Sequence, residues 1–116
     1  MLNQCVLVGR VKEMPRLQET VNGNKVASLL LEVERSFKTS DGFVEKDVFS
    51  VQLWRGIAET CCEVCVPGSL VGIKGRLQSF NVKKEDNTFY NAEVIAERVS
   101  FLDMSSKQQA EKQNKG

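Results

Sequence analysis

Trp54 is the only tryptophan in the chain, and it closes the run Phe49-Ser50-Val51-Gln52-Leu53-Trp54, in which apolar and polar residues alternate. In a β-strand successive side chains leave on opposite faces, which puts Phe49, Val51 and Leu53 on one side and Ser50, Gln52 and Trp54 on the other. A wide flat ring held outside a core by a rigid strand is a surface on which nucleic-acid bases can stack, because every base has a π-face to offer. The same ring buried under a loop, a helix or a second subunit would serve packing alone, and the run by itself leaves both uses open. Phe37 is a second candidate. Residues 25–37 put Ala27, Leu29, Leu31 and Val33 on one face and Ser28, Glu32 and Glu34 on the other, with Leu30 the exception. Arg35 and Phe37 keep the apolar parity after the core run has ended, so the strand is expected to carry them past the body of the fold, into solvent or onto a ligand.

Cys61, Cys62 and Cys65 form the other cluster with chemical capacity. The Cys62 to Cys65 spacing is that of zinc and redox sites, but the chain has no histidine and no second C-x-x-C, so a four-ligand zinc site would need Cys5 from a distant strand. The cluster also falls late in a predicted helix, whereas thiolate activation favours a helix N-terminus. Ile57, Cys61, Val64 and Cys65 stand at i, i+4, i+7 and i+8, one apolar helical face, so the cysteines are read as small buried hydrophobes. No metal and no cofactor is expected. Catalysis has little to draw on: no histidine serves as a base, no Gly-rich phosphate loop precedes a helix, and Glu32 with Glu34 reads as the wet side of a strand. The chain is therefore not read as an enzyme.

The elements that must position these residues fit one domain, since a chain of 116 residues makes a single modest core. With 16 basic against 15 acidic residues it is not a histone-like polycation, though a locally basic groove remains open. No apolar run is long enough to span a bilayer and no basic-then-apolar leader is present, so a cytoplasmic protein with no membrane partner is expected. Strands are predicted over 3–11 with Gly9 inside, over 25–37, and after the Asp41-Gly42 turn in the returning strand that ends at Trp54. A short helix over 57–66, ended by Pro67-Gly68, follows. Strands over 69–80, coiled at Gly72 and Gly75, and over 88–102 complete the chain. In the last strand the even positions are apolar in the middle and the odd ones at the end, which predicts a bend. The fold class is all-β: a five-stranded OB-fold barrel with one short helix between strands 3 and 4. Residues 1–103 are assigned to this domain and 104–116 to a disordered polar tail.

Particular residues carry a family resemblance. Asn3-Gln4-Cys5-Val6-Leu7-Val8-Gly9-Arg10-Val11 with Pro15, Asn22-Gly23 followed by Val26-Ala27, Gly68-Ser69-Leu70, Gly75-Arg76-Leu77-Gln78, and Ala92-Glu93-Val94 with Phe101-Leu102 occur in order. Together they resemble the bacterial single-stranded DNA-binding proteins of replication and repair, over about residues 1–103. The resemblance implies an OB fold, a homotetramer with a dimer as the fallback, and sequence-tolerant binding and protection of single-stranded DNA in replication, repair or recombination. Phe37 and Trp54 match stacking positions of that family. Val48 and Val82 stand where its members usually carry an aromatic, and Phe80, two residues before Val82 on the same strand face, is the candidate substitute. Each stacked base is worth about 1–3 kcal/mol, so two lost platforms weigh against strong binding.

Phosphate contacts are expected from Arg35, Lys38, Lys46 and Arg55 beside the two rings, and from Arg76, Lys83 and Lys84 on or beyond the fourth strand. Lys83 and Lys84 are expected in the loop between the last two strands. The family's housekeeping members end in an acidic partner-recruiting tip, whereas this sequence ends Lys112-Gln113-Asn114-Lys115-Gly116, so tail-mediated recruitment of replication enzymes is not expected. A nucleoid-associated location in the cytoplasm follows from binding DNA. The alternative function is an oligomeric OB-fold protein-interaction module with weak or no DNA binding, which valine at positions 48 and 82 would allow.

Overall fold

Alternation of apolar residues builds strands β1 (Cys5–Glu13), β3 (Lys25–Lys38) and β4 (Val44–Trp54), with the short polar β2 (Gln18–Glu19) between the first two; after helix α1 (Arg55–Val64) come β5 (Leu70–Lys84) and β6 (Asn87–Phe101). This is a computed structural model, and it describes residues 1–103; the tail expected at 104–116 lies outside the described residues. β1 pairs antiparallel with both β5 and β3, β5 with β6, and β3 with β4. A short parallel step, Val51 beside Val94 and Gln52 beside Ile95, joins β4 to β6 and closes the barrel. The result is the expected five-stranded OB barrel. β2 is a two-residue addition paired with the start of β3, so the helix between the third and fourth main strands lies between β4 and β5.

The inward parity fills the barrel. Leu29, Leu31, Val51, Leu53, Val71 and Ile73 are fully buried or nearly so, and Ala58, Cys61 and Cys65 close one end of the barrel. Each buried Leu, Ile or Val contributes about 1.5–3 kcal/mol of transfer free energy. Phe49 keeps the inward parity opposite the fully buried Leu31 but is itself 36% exposed, at the edge of the core. Two glycines let the barrel close. A β-carbon at Gly9 would clash with the carbonyl oxygen of Glu32, and one at Gly75 with that of Ile95, so both sites admit backbone only.

Several boundaries differ from the sequence expectation. The helix starts directly after Trp54, with Arg55 at φ 55, and the chain leaves it at Cys65, which is extended at φ −70, ψ 140. Pro67 disfavours the helical region at the residue before it, so Val66 cannot continue the helix and Pro67-Gly68 lies in the following turn. Lys83 and Lys84 are on a strand rather than in a loop, since β5 stays paired to Lys84 opposite Asn87 and turns through Glu85 at φ 57. The bend expected in the last strand is a bulge. Lys74 pairs with Arg98 and Gly75 with Ala96, which leaves Glu97 unmatched and switches the inward set from Val99 and Phe101 to Ala96 and Val94.

Candidate nucleic-acid interface

Cross-strand partners in an antiparallel sheet share a face, so register fixes the outer surface of the β3–β4 hairpin. Its rungs are Val26 with Trp54, Ser28 with Gln52, Leu30 with Ser50, and Glu32 with Val48. Trp54 is 43% exposed on this face. It is held by the last rung of the barrel on one side and by the sharp turn at Arg55 on the other, so its ring is on a rigid mount at the strand-to-helix junction. Val48 shares the face three rungs away, about 20 Å along the strand, and is also exposed.

Beyond the barrel the hairpin continues as an arm. The register shifts between the Glu34–Lys46 pair and the Lys38–Val44 pair, which inserts two extra residues into β3 and projects Phe37 at 68% exposure. Phe43, in the turn, is similarly exposed. Within this shift Arg35 donates from Nε to Asp47 Oδ2 at 3.0 Å and from Nη2 to Asp47 Oδ1 at 2.9 Å, and its Nη1 meets Glu45. The fork bond to Asp47, reinforced by both carboxylate charges, raises the guanidinium above its ordinary pKa. The same bond holds the Asp47 carboxyl below the usual carboxylate value.

The β5–β6 hairpin forms a second arm. Asn81 pairs with Tyr90, Val82 with Phe89 and Phe80 with Asn91, so Phe80, Val82 and Phe89 share one face while Tyr90 shares the other with Asn81. Phe89 is 51% exposed and Tyr90 74%. Directly opposite Val82, where the family resemblance leads one to expect an aromatic, the fold therefore supplies Phe89 from the neighbouring strand.

The basic residues divide into two groups. Arg35 is engaged as described, Lys46 pairs with Glu32 at 3.2 Å, and Arg76 meets Glu97 at 3.9 Å and donates to Gln78 at 2.8 Å. Lys38, Arg55, Lys83 and Lys84 have no ion pair among the described residues. Arg10 is structural, bonding the Gly68 carbonyl at 2.8 Å and Asp103. Reasoning from sequence missed Phe43, Phe89 and Tyr90. Their signal was available only as exposed aromatics at the ends of strands, because pairing register is not written in a single strand.

The cysteines sit apart from these surfaces. No disulfide links them, and among the described residues no group of His, Cys, Asp or Glu side chains is placed to hold a metal ion. A hydrogen bond with Cys65, together with burial, pushes the Cys61 thiol far above its ordinary value, which is the opposite of an activated thiolate. Among the described residues no helix is long and apolar enough to cross a membrane.

A five-stranded closed barrel with its helix between β4 and β5 makes the chain an OB-fold protein. A solved structure of a deletion mutant of the single-stranded DNA binding protein from Thermus aquaticus has the same fold, with a TM-score of 0.72 at 24% identity. The match covers 90% of this chain and 52% of that one. Single-stranded DNA-binding protein B of Bacillus subtilis is 40% identical over 111 residues, 95% of this chain and 98% of the relative. The single-stranded DNA-binding protein of Oceanobacillus iheyensis is 39% identical over 109 residues, 93% of this chain and 68% of the relative. Residues 2–102 match the single-strand binding protein family, and the chain belongs to that family.

Proposed function

We propose that this chain binds and protects single-stranded DNA with little dependence on sequence, acting in replication, repair or recombination in the bacterial cytoplasm. The observation that carries this reading is Trp54, exposed on the outer face of a barrel rung and rigidly mounted, in a chain of this family. Trp54 at the barrel end of β4 and Phe37 on the first arm are stacking platforms, and Phe80 with Phe89 forms the platform on the second arm. Lys38, Arg55, Lys83 and Lys84 supply the cations for phosphate, whereas Arg35, Lys46 and Arg76 contribute only when a phosphate displaces their carboxylates. The working unit is a homotetramer. In support, the outer face of β1 exposes Val6 and Val8.

Titration of the full chain with oligothymidylate, followed by Trp54 emission and by gel shift at low salt, tests the binding. Quenching with a saturable shift is expected; unchanged emission together with no shift would refute it. Light scattering at micromolar concentration tests the assembly, and a monomer mass would remove the tetramer. The second reading, a protein-interaction module, draws on the carboxylates that already neutralise Arg35, Lys46 and Arg76. Capture of a defined protein partner by a chain that shifts no oligonucleotide would favour it.

A further inference from the structure

We propose that the outer face of β3 carries a pocket for one unstacked nucleobase, selective for guanine and set against thymine, beside the Trp54 platform. This rests on the single-stranded DNA reading above and adds base selection at one point of an otherwise tolerant path. A cavity of about 430 Å³ lies on this face, within the size range of small-molecule sites. Its position follows from register. Gln18 of β2 pairs with Val26 of β3, and Val26 pairs with Trp54 of β4, so the three side chains form one row on one face. The cavity, lined by Val26 and Gln52, thus adjoins the Trp54 rung, within reach of a strand stacked on that ring.

The lining is suited to a flat ring with a polar edge. Leu30, Val26 and Met14 line it with apolar surface, and the alternation of β3 alone would not explain Leu30, which faces outward. Glu13 reaches this face because of a bulge. The β1–β3 register shifts between Val11 and Glu13, which turns Glu13 to pair with Leu30 instead of pointing inward behind Val11. Arg16 lines the same cavity. Among the described residues neither Glu13, at the end of β1, nor Arg16, between β1 and β2, has an ion pair, whereas most charges on the β3–β4 hairpin do. Gln52 is fixed by accepting from Ser28 at 3.1 Å. The rim is held in place too: Pro15 is buried, its carbonyl 3.7 Å from Cys62 Sγ, and β2 is tied to β3.

A carboxylate only accepts hydrogen bonds, so it selects an edge with neighbouring donors. Guanine offers N1–H and the 2-amino group side by side to Glu13, and its O6 and N7 accept from a guanidinium such as Arg16. Thymine offers one N–H between two carbonyl oxygens, which a carboxylate repels. A negative group beside a phosphate path opposes binding of any strand, and its presence there is accounted for by selection rather than by affinity.

The test compares the full chain binding oligothymidylate and the same oligomer with isolated guanines replacing every third thymine, at one salt concentration. The guanine-containing strand is expected to bind at least about fivefold more tightly. Hypoxanthine in place of guanine removes the 2-amino group and should erase most of that ratio, with no change to the protein. Glu13→Gln and, separately, Arg16→Gln should bring the ratio towards one, whereas Trp54→Ala should weaken both strands and retain it. Equal binding of both strands by the native chain, or a preference that survives hypoxanthine or Glu13→Gln, would overturn the pocket while leaving the general reading in place. Binding of neither strand would overturn the general reading, and the pocket with it.

Discussion

The two arms that project from the barrel are built alike and charged differently. The β3–β4 arm carries Phe37 and Phe43, but Arg35 is held by Asp47 and Glu45, and Lys46 by Glu32. The β5–β6 arm carries Phe80, Phe89 and Tyr90, and its Lys83 and Lys84 have no ion pair among the described residues. The first arm has spent Arg35 and Lys46 on its own geometry and keeps only Lys38 unpaired among the described residues, whereas the second keeps both of its lysines. Binding along β3–β4 should therefore lean more on stacking and carry the smaller salt dependence. Binding along β5–β6 should respond to salt, because each neutralised phosphate releases counterions.

Removing a ring from each hairpin gives the largest effects. Trp54→Ala should cost about 1–3 kcal/mol of binding to oligothymidylate with the slope of log affinity against log salt unchanged. Phe89→Ala should also lose at least about 1 kcal/mol, and Val82→Phe, which places a second ring beside it, should recover part of that loss. Anisotropy titration across a salt series measures both. If Phe89→Ala has no effect, the neighbouring strand does not replace the aromatic missing at Val82, and the arms are less alike than their rings suggest.

The difference between the arms was only half legible in sequence. Alternation from Ala27 to Val33 and from Phe49 to Trp54, with Asp41-Gly42 between, is enough for the β3–β4 hairpin and for the face Trp54 occupies. The parity switch in the last strand is also plain, because a bulge at Glu97 must exchange the inward set. Pairing across strands is not. Asp47 and Glu45 reach Arg35 only through a register shift, and Phe89 faces Val82 only because β5 continues to Lys84. Neither depends on local propensity, so the ring opposite Val82 and the counter-charges of Arg35 were out of reach of a reading strand by strand. Lys83 and Lys84 were placed in a loop for the same reason: charged residues near a turn look alike whether or not the strand pairs through them.

Charge substitutions sharpen the contrast at intermediate size. Lys83→Gln with Lys84→Gln should lower the magnitude of the salt slope by up to about 1.4, taking about 0.7 for each phosphate of a single strand that is no longer neutralised. Arg35→Gln should leave the slope nearly unchanged. Freeing that guanidinium by Asp47→Asn with Glu45→Gln should instead steepen the slope by about 0.7 and raise affinity at low salt. A slope that falls on Arg35→Gln would show that phosphate displaces the carboxylates and that both arms are electrostatic.

The smallest effect expected is on pH dependence, and it belongs to the β3–β4 arm alone. The Asp47 carboxyl lies below its ordinary value because it accepts from Arg35, so its contribution is present above the unfolded carboxylate range and is lost as pH falls through the lowered folded value. The carboxyl is open to solvent, so the change should appear as local opening of the arm rather than as loss of the barrel. Amide protection factors at Phe37 and Lys38, which take out the intrinsic pH dependence of exchange, should fall in this acidic window while Leu29 and Val51 stay protected. Asp47→Asn should show the lowered protection already at neutral pH and no further loss through the window. The β5–β6 arm, whose lysines have no carboxylate partner among the described residues, should show no such step.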